Sequence, residues 1–144
     1  MKEALKYTKH GIVANETHYN LVVRTSEESG VVDFCNKNNI LVIAYRPLRM
    51  GYFAGTEDKV LNKLADKYKM TTTQIAINYL VNKGVLPIVK STNISHLKEN
   101  IDAVNFKLSK ADLEKLEEWR LPGYKTPKYD LEYYGSEKIR LVNL

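Results

Sequence analysis

The run Ile40-Leu41-Val42-Ile43-Ala44-Tyr45 is the feature that most constrains the fold. A strand this continuously apolar is typically covered on both faces, as in a parallel sheet beneath helices. Short β-rich runs alternate with amphipathic helical patterns along the chain, which predicts an α/β architecture with parallel strands. IVANETHY (12–19) and VLPIV (85–89) supply two further strands. Pro87 costs a ladder hydrogen bond, so irregular pairing is expected there. The 144 residues suffice for one domain with a real core.

The helical segments carry start signals. Residues 2–9 read as the end of a helix, with Ala4, Leu5 and Tyr7 apolar, broken at Gly11. Thr25 and Glu28 form a capping box for a helix to about Lys37 that buries Val31, Val32, Phe34 and Cys35. After the loop RPLRMGYFAG (46–55), Thr56 caps a helix carrying Val60, Leu61, Leu64, Ala65 and Tyr68. Thr71 and Gln74 make a second box, opening a helix with Ile75, Ile77, Leu80 and Val81 that ends at Gly84. A helix after Asn93 or Ser95 buries Ile94, Leu97, Ile101 and Val104 on one face. Ser109 and Asp112 cap a last helix with Leu113, Leu116 and Trp119. Beyond Leu121 the periodicity is lost. That tail, with Tyr124, Tyr129, Tyr133 and Tyr134, has three readings: it wraps the body, covers a site or is disordered.

Several classes of function are disfavoured. No apolar run approaches the roughly 18 residues of a membrane span, and no signal-type h-region follows Met1. Cys35 is the single cysteine; among Val31, Val32 and Phe34 it reads as core, and a lone thiol suits the cytoplasm. The net charge of +5 is spread over lysines that alternate with acids, so solvated helix faces explain it better than nucleic acid. No metal-ligand spacing, nucleophile elbow or Walker loop occurs. The excess positive charge suits a local site for a phosphorylated small molecule.

The segment LPIVKSTNISHLKEN (86–100) points to such a site. It reads as a strand ending in Lys90, a Ser-Thr-Asn turn and the first turns of a helix. A helix N-terminus offers amide hydrogens and a positive dipole end to an anion, and Lys90 adds a full charge. In (β/α)8 barrels, phosphate is commonly held by the loops after the last strands.

With these elements placed, the chain resembles the C-terminal part of an aldo-keto reductase. The likeness is carried by IVANETHYNLVVR (12–24), GVVDFCNKNNILVIAYRPL (30–48), TTTQIAINYLVNKGVLPIVKSTNISHLKEN (71–100) and NFKLSKADLEKLEEW (105–119). It implies the C-terminal part of an incomplete (β/α)8 TIM barrel over residues 1–120, with about three parallel strands and flanking helices, and a tail over 121–144. It implies NADPH-dependent reduction of aldehydes and ketones by the complete protein. Residue by residue, Tyr45 matches the tyrosine that stacks on the nicotinamide, and Arg46, Pro47 and Leu48 match the loop that passes the pyrophosphate. Lys90 and Ser91, with Thr92 beside them, match the pair that holds the adenosine 2′-phosphate, and Glu99 and Asn100 match adenine contacts.

Two departures matter. Glu16 stands where the family usually has glutamine at the nicotinamide carboxamide; an ionised glutamate accepts from the amide but cannot donate to it. His96 stands where arginine is frequent, and histidine lacks the bidentate fork for phosphate. NADP remains favoured through Lys90, and NAD stays open. The resemblance places the family's catalytic Asp, Tyr, Lys and His before the first residue here, so the isolated chain is expected to be inactive. His18 and Tyr19 do not replace them, because strand neighbours point to opposite faces.

Geometry adds an expectation of its own. Eight strands close a barrel, and right-handed crossovers place all helices on one face of a shorter sheet. The other face would lie bare, with two unpaired edges. That predicts self-association or pairing with a separate N-terminal half-barrel. Four readings compete: part of a reductase, a cofactor-binding or regulatory remnant, a structural half-barrel, and an open flavodoxin-like sheet with a phosphorylated ligand at its switch point. The carbonyl substrate is not readable, because specificity in barrels resides in loops.

Overall fold

The computed structural model describes residues 1–125. The elements are α1 (Lys2–Tyr7), β1 (Ala14–His18), α2 (Thr25–Glu28), α3 (Val31–Lys37), β2 (Leu41–Tyr45), a 3-10 turn (Arg49–Gly51), α4 (Lys59–Tyr68), α5 (Thr72–Asn82), β3 (Val85–Pro87), α6 (Ile94–Asp102) and α7 (Lys110–Glu118). The described strands form one parallel sheet in the order β1-β2-β3. The architecture is α/β with parallel strands, as the alternating pattern predicted, and three strands with flanking helices are what the family resemblance implied for part of a barrel.

The pleat divides the sheet into two unlike faces. Val42 pairs with Asn15 and Val85, and Ala44 with Thr17 and Pro87. Val42, Ala44 and Val85 are buried and join the core with Leu61, Leu64, Ile75, Tyr79, Leu80 and Leu116 from the helices. The alternate residues Leu41, Ile43 and Tyr45 point the other way, in register with Ala14, Glu16 and His18. Leu41 and Leu86 are exposed on that side, and so is Ile88 just past β3. The apolar run of β2 is therefore sealed on one face only: on the other, Leu41 is 43% exposed and Ile43 and Tyr45 are half-buried, with His18 buried beside Tyr45.

Local chemistry explains several boundaries. Thr71 and Gln74 form the expected reciprocal capping box, and Gly84 takes φ +72° after α5. The box expected at Thr25 does not form. Gly30 at φ +75° splits that region into α2 and α3, and Thr25 is the first helical residue rather than the cap. Asp58, not Thr56, caps α4: its carboxylate accepts from the amides of Val60 and Leu61 at 2.9 Å, and from the Trp119 indole at 3.0 Å. β3 stops at Pro87, two residues short of the expected strand, although the Ile88 amide still donates to the Ala44 carbonyl at 3.0 Å.

The apolar stripe of α6 is the clearest correction. Ile94, Leu97, Ile101 and Val104 are exposed, Ile94 and Ile101 by 72% and 69%. The buried side of this segment carries Asn100 and Ala103 instead. It docks on α5 through polar bonds, from Gln74 Nε2 to the Glu99 carbonyl (3.1 Å) and from Asn78 Nδ2 to the Ala103 carbonyl (2.8 Å). Periodicity identified the stripe correctly; nothing among the described residues covers it.

At the opposite end, α7 is tied down by two buried ions. Arg24, 2% exposed, donates to the carbonyls of Leu21, Leu116 and Glu117, which places a cation at the C-terminus of α7. Asp112 at the other end accepts from Lys67, Tyr68, Ser109 and Lys115. Cys35 is fully buried, as expected of a core residue. Tyr129, Tyr133 and Tyr134 of the tail lie outside the described residues.

Candidate functional site

A cavity of about 640 Å³ opens at the carboxyl ends of β2 and β3. Two helix N-termini converge on it. Thr71–Thr73 bring the start of α5, and Ser91 and His96 bring the start of α6. Helix N-termini carry partial positive charge, and Arg46 and Lys90 add full cations to the lining. The arrangement suits a small polyanion.

The structure brings together Arg46, Leu48, Lys90, Ser91, His96, Glu99 and Asn100 in this one cavity. Pro47 joins them. Lys90 and His96 are exposed at the rim, and Asn100 is buried behind them. Ser91 is committed locally: its hydroxyl accepts from the Asn93 amide at 3.0 Å and shapes the turn into α6. Asn93 caps α6 by accepting from the Ser95 amide at 2.8 Å. One of the amides expected to face an anion is thus already occupied. Glu99, midway along α6, accepts from the Thr71 hydroxyl, which ties that helix to the start of α5.

Glu16, Tyr45 and Thr92 do not line the cavity. Thr92 is exposed in the turn before α6. Glu16 and Tyr45 belong to the uncovered sheet face, Glu16 in register with Ile43. There the Tyr45 ring stacks on the His18 imidazole, centroids 5.1 Å apart and planes 18° from parallel. His18 and Tyr19 part as expected. His18 stays with Tyr45, while Tyr19 enters the core and its hydroxyl donates to Glu27 at 3.0 Å.

Sequence reading missed part of the lining. Met50, Gly51, Ala54, Gly55 and Thr71–Thr73 also face the cavity. The signal for the loop was its turn composition. Its anchor is the Thr72 hydroxyl, which donates to the Phe53 carbonyl, and Phe53 is fully buried. Among the described residues there is no cluster of potential metal ligands and no helix long and apolar enough to cross a membrane.

With this geometry in place, the comparisons with known proteins decide the family. A profile described as the aldo/keto reductase family matches residues 1–120. The chain belongs to the aldo/keto reductase family. An uncharacterized oxidoreductase of Schizosaccharomyces pombe is 40% identical over 86 residues, covering 60% of this chain and 30% of its own length. A thermostable aldo-keto reductase solved with the inhibitor epalrestat aligns with a TM-score of 0.76 at 31% identity, over 81% of this chain and 43% of its own. A Bombyx mori aldo-keto reductase solved in complex with NADP aligns with a TM-score of 0.72 at 26% identity, over 83% and 40%. This aldo/keto reductase chain thus spans about a third of its curated relatives, 30% of the yeast protein and 35% of an Equus caballus family member.

Proposed function

We propose that this chain forms the nucleotide-holding part of an NADPH-dependent carbonyl reductase, and that alone it binds the adenosine 2′-phosphate end of the cofactor without turning over a carbonyl. The observation that carries the reading is the cavity itself. Residues 40 positions apart or more in sequence, Arg46 and Leu48 against Lys90 to Asn100, meet at one rim with two helix N-termini. The NADP found in the silkworm relative supports a nicotinamide dinucleotide as the ligand class. In this reading Lys90 holds the 2′-phosphate beside Ser91 and Thr92, Arg46 and Leu48 pass the pyrophosphate, Glu99 and Asn100 reach the adenine, and His96 stands at the phosphate rim. Tyr45 and Glu16 await the nicotinamide on the sheet face. Lys90 favours NADP over NAD. The working unit is residues 1–120 with 121–144 as a tail, in the cytosol.

Lys90→Met tests the assignment. A charge-assisted phosphate contact contributes roughly 1.5–3 kcal/mol. Calorimetry should show the wild type preferring 2′,5′-ADP over 5′-AMP by that margin and the variant losing the preference. A variant that keeps it removes Lys90 from the site.

A second reading is favoured by the uncovered sheet face. Leu41, Leu86 and Ile88, with the α6 stripe, offer apolar surface where a barrel would continue. We infer a half-barrel that completes itself against an N-terminal half or a second copy. Sedimentation of the purified chain as a monomer that leaves a hydrophobic dye dark would oppose it.

A further inference from the structure

We propose that Asn20 is a positioning residue for the nucleotide site: it fixes the turn that lines the cavity without touching the ligand. The proposal rests on the nucleotide reading above. Asn20 is fully buried and is not part of the cavity lining. Its Oδ1 accepts from the amides of Val22 (2.9 Å) and Val23 (2.8 Å), and its own amide donates to the Val23 carbonyl at 3.1 Å. The side chain thereby closes the turn after β1. Its Nδ2 is left pointing at the neighbouring loop, where it donates to the Arg46 carbonyl at 3.0 Å.

That carbonyl sits at a sensitive place. It also accepts from the Arg49 amide at 3.0 Å, closing the turn 46–49. Arg46, Arg49 and Met50 take φ values of 51°, 47° and 55°, in the left-handed region that side chains disfavour. A turn of this kind persists only where its surroundings hold it. Thr72 holds the far end of the loop at Phe53, and Asn20 holds the near end at Arg46. Between these anchors lie Leu48, Met50 and Gly51, which face the cavity. Asn20 also approaches the imidazole of His18 at 3.4 Å, so it stands between the Tyr45 stack and the cavity loop.

Asn20→Asp separates its two jobs. The carboxylate still accepts from Val22 and Val23, but it presents an oxygen where Arg46 needs a donor. The probes are 2′-AMP and 2′,5′-ADP, which differ by the 5′-phosphate that the loop would meet. The variant is expected to lose about tenfold of the preference for 2′,5′-ADP, one hydrogen bond's worth, while 2′-AMP binding stays. Trypsin cleavage after Arg49 should accelerate in the absence of ligand. A general structural role would weaken both probes in proportion; an unchanged ratio, or unchanged cleavage, overturns the proposal. If the wild type binds neither probe, the nucleotide reading fails and the cleavage rate alone decides whether Asn20 positions the loop. If the variant does not fold, hydrogen exchange of the Asn20 side-chain amide in the wild type decides: slow exchange supports the anchor, and exchange at the free rate removes it.

Discussion

The two faces of the sheet differ more than any other two regions of this molecule. On the helix side, Val42, Ala44 and Val85 meet a sealed layer built from α3, α4, α5 and α7. On the other side, Leu41 and Leu86 face outward, Ile88 reaches the cavity rim, and only the end near the His18–Tyr45 stack is closed off, with His18 buried. One layer of a two-layer core is finished and the other is not. The cavity draws on elements anchored in the finished side, Thr71–Thr73 of α5 and the Phe53-pinned loop. On the proposed reading, binding at the rim would be well ordered while the sheet face around Tyr45 and Glu16 stays open. That contrast is the physical basis for the proposal that cofactor binding and hydride transfer are separable here.

Mutation can break this contrast. Leu80 is fully buried on the helix side, so Leu80→Ala should cost about 2–5 kcal/mol in urea unfolding. Asp112→Asn comes next, at roughly 1.5–3 kcal/mol for loss of charge-assisted bonds at a buried position. Lys67, Ser109 and Tyr68 hold the Asp112 carboxyl well below the usual aspartate range. The unfolded chain therefore takes up a proton, near pH 4, that the folded chain refuses. The stability from Asp112 is complete above that pH and is lost as pH falls below it. Trp119, the only tryptophan and bonded to Asp58, should report the acid transition, and the variant should flatten that limb. The smallest effect belongs to the bare face. Leu86→Ala should change stability by less than ~0.5 kcal/mol in the chain alone. A cost comparable to Leu80→Ala would mean that this face is covered.

The sequence made some of this legible and hid the rest for identifiable reasons. The run at 40–45 announced β2, because buried parallel strands are apolar throughout. The run alone could not say that Leu41 would lack a covering layer; that expectation came from topology, because right-handed crossovers put the helices of a short sheet on one face, and Leu41 is exposed on the other. The stripe of Ile94, Leu97 and Ile101 was visible from its helical period, and its exposure was hidden because a period marks an apolar face without saying what covers it. Thr71 and Gln74 were readable because both halves of the box are local. Thr56 was read as the cap of α4, but Asp58, two residues on, takes that place and also binds Trp119, 61 positions away. At the site, Lys90 and the turn into α6 could be read from one short segment, whereas His96, Glu99 and Asn100 were named only through the family resemblance. Thr71–Thr73 and Gly51 reach the cavity only through tertiary packing. Asn20 had a local signal, the turn-forming habit of asparagine, but its partner Arg46 is 26 residues on.

The central claim is that this chain holds the cofactor but does not use it. The most direct test follows NADPH fluorescence while the purified chain is mixed first with NADPH and then with 4-nitrobenzaldehyde. The account predicts a change in emission on mixing with the chain, reversed by 2′,5′-ADP, and no consumption after the aldehyde is added. Steady oxidation of NADPH, or no binding at all, would contradict it.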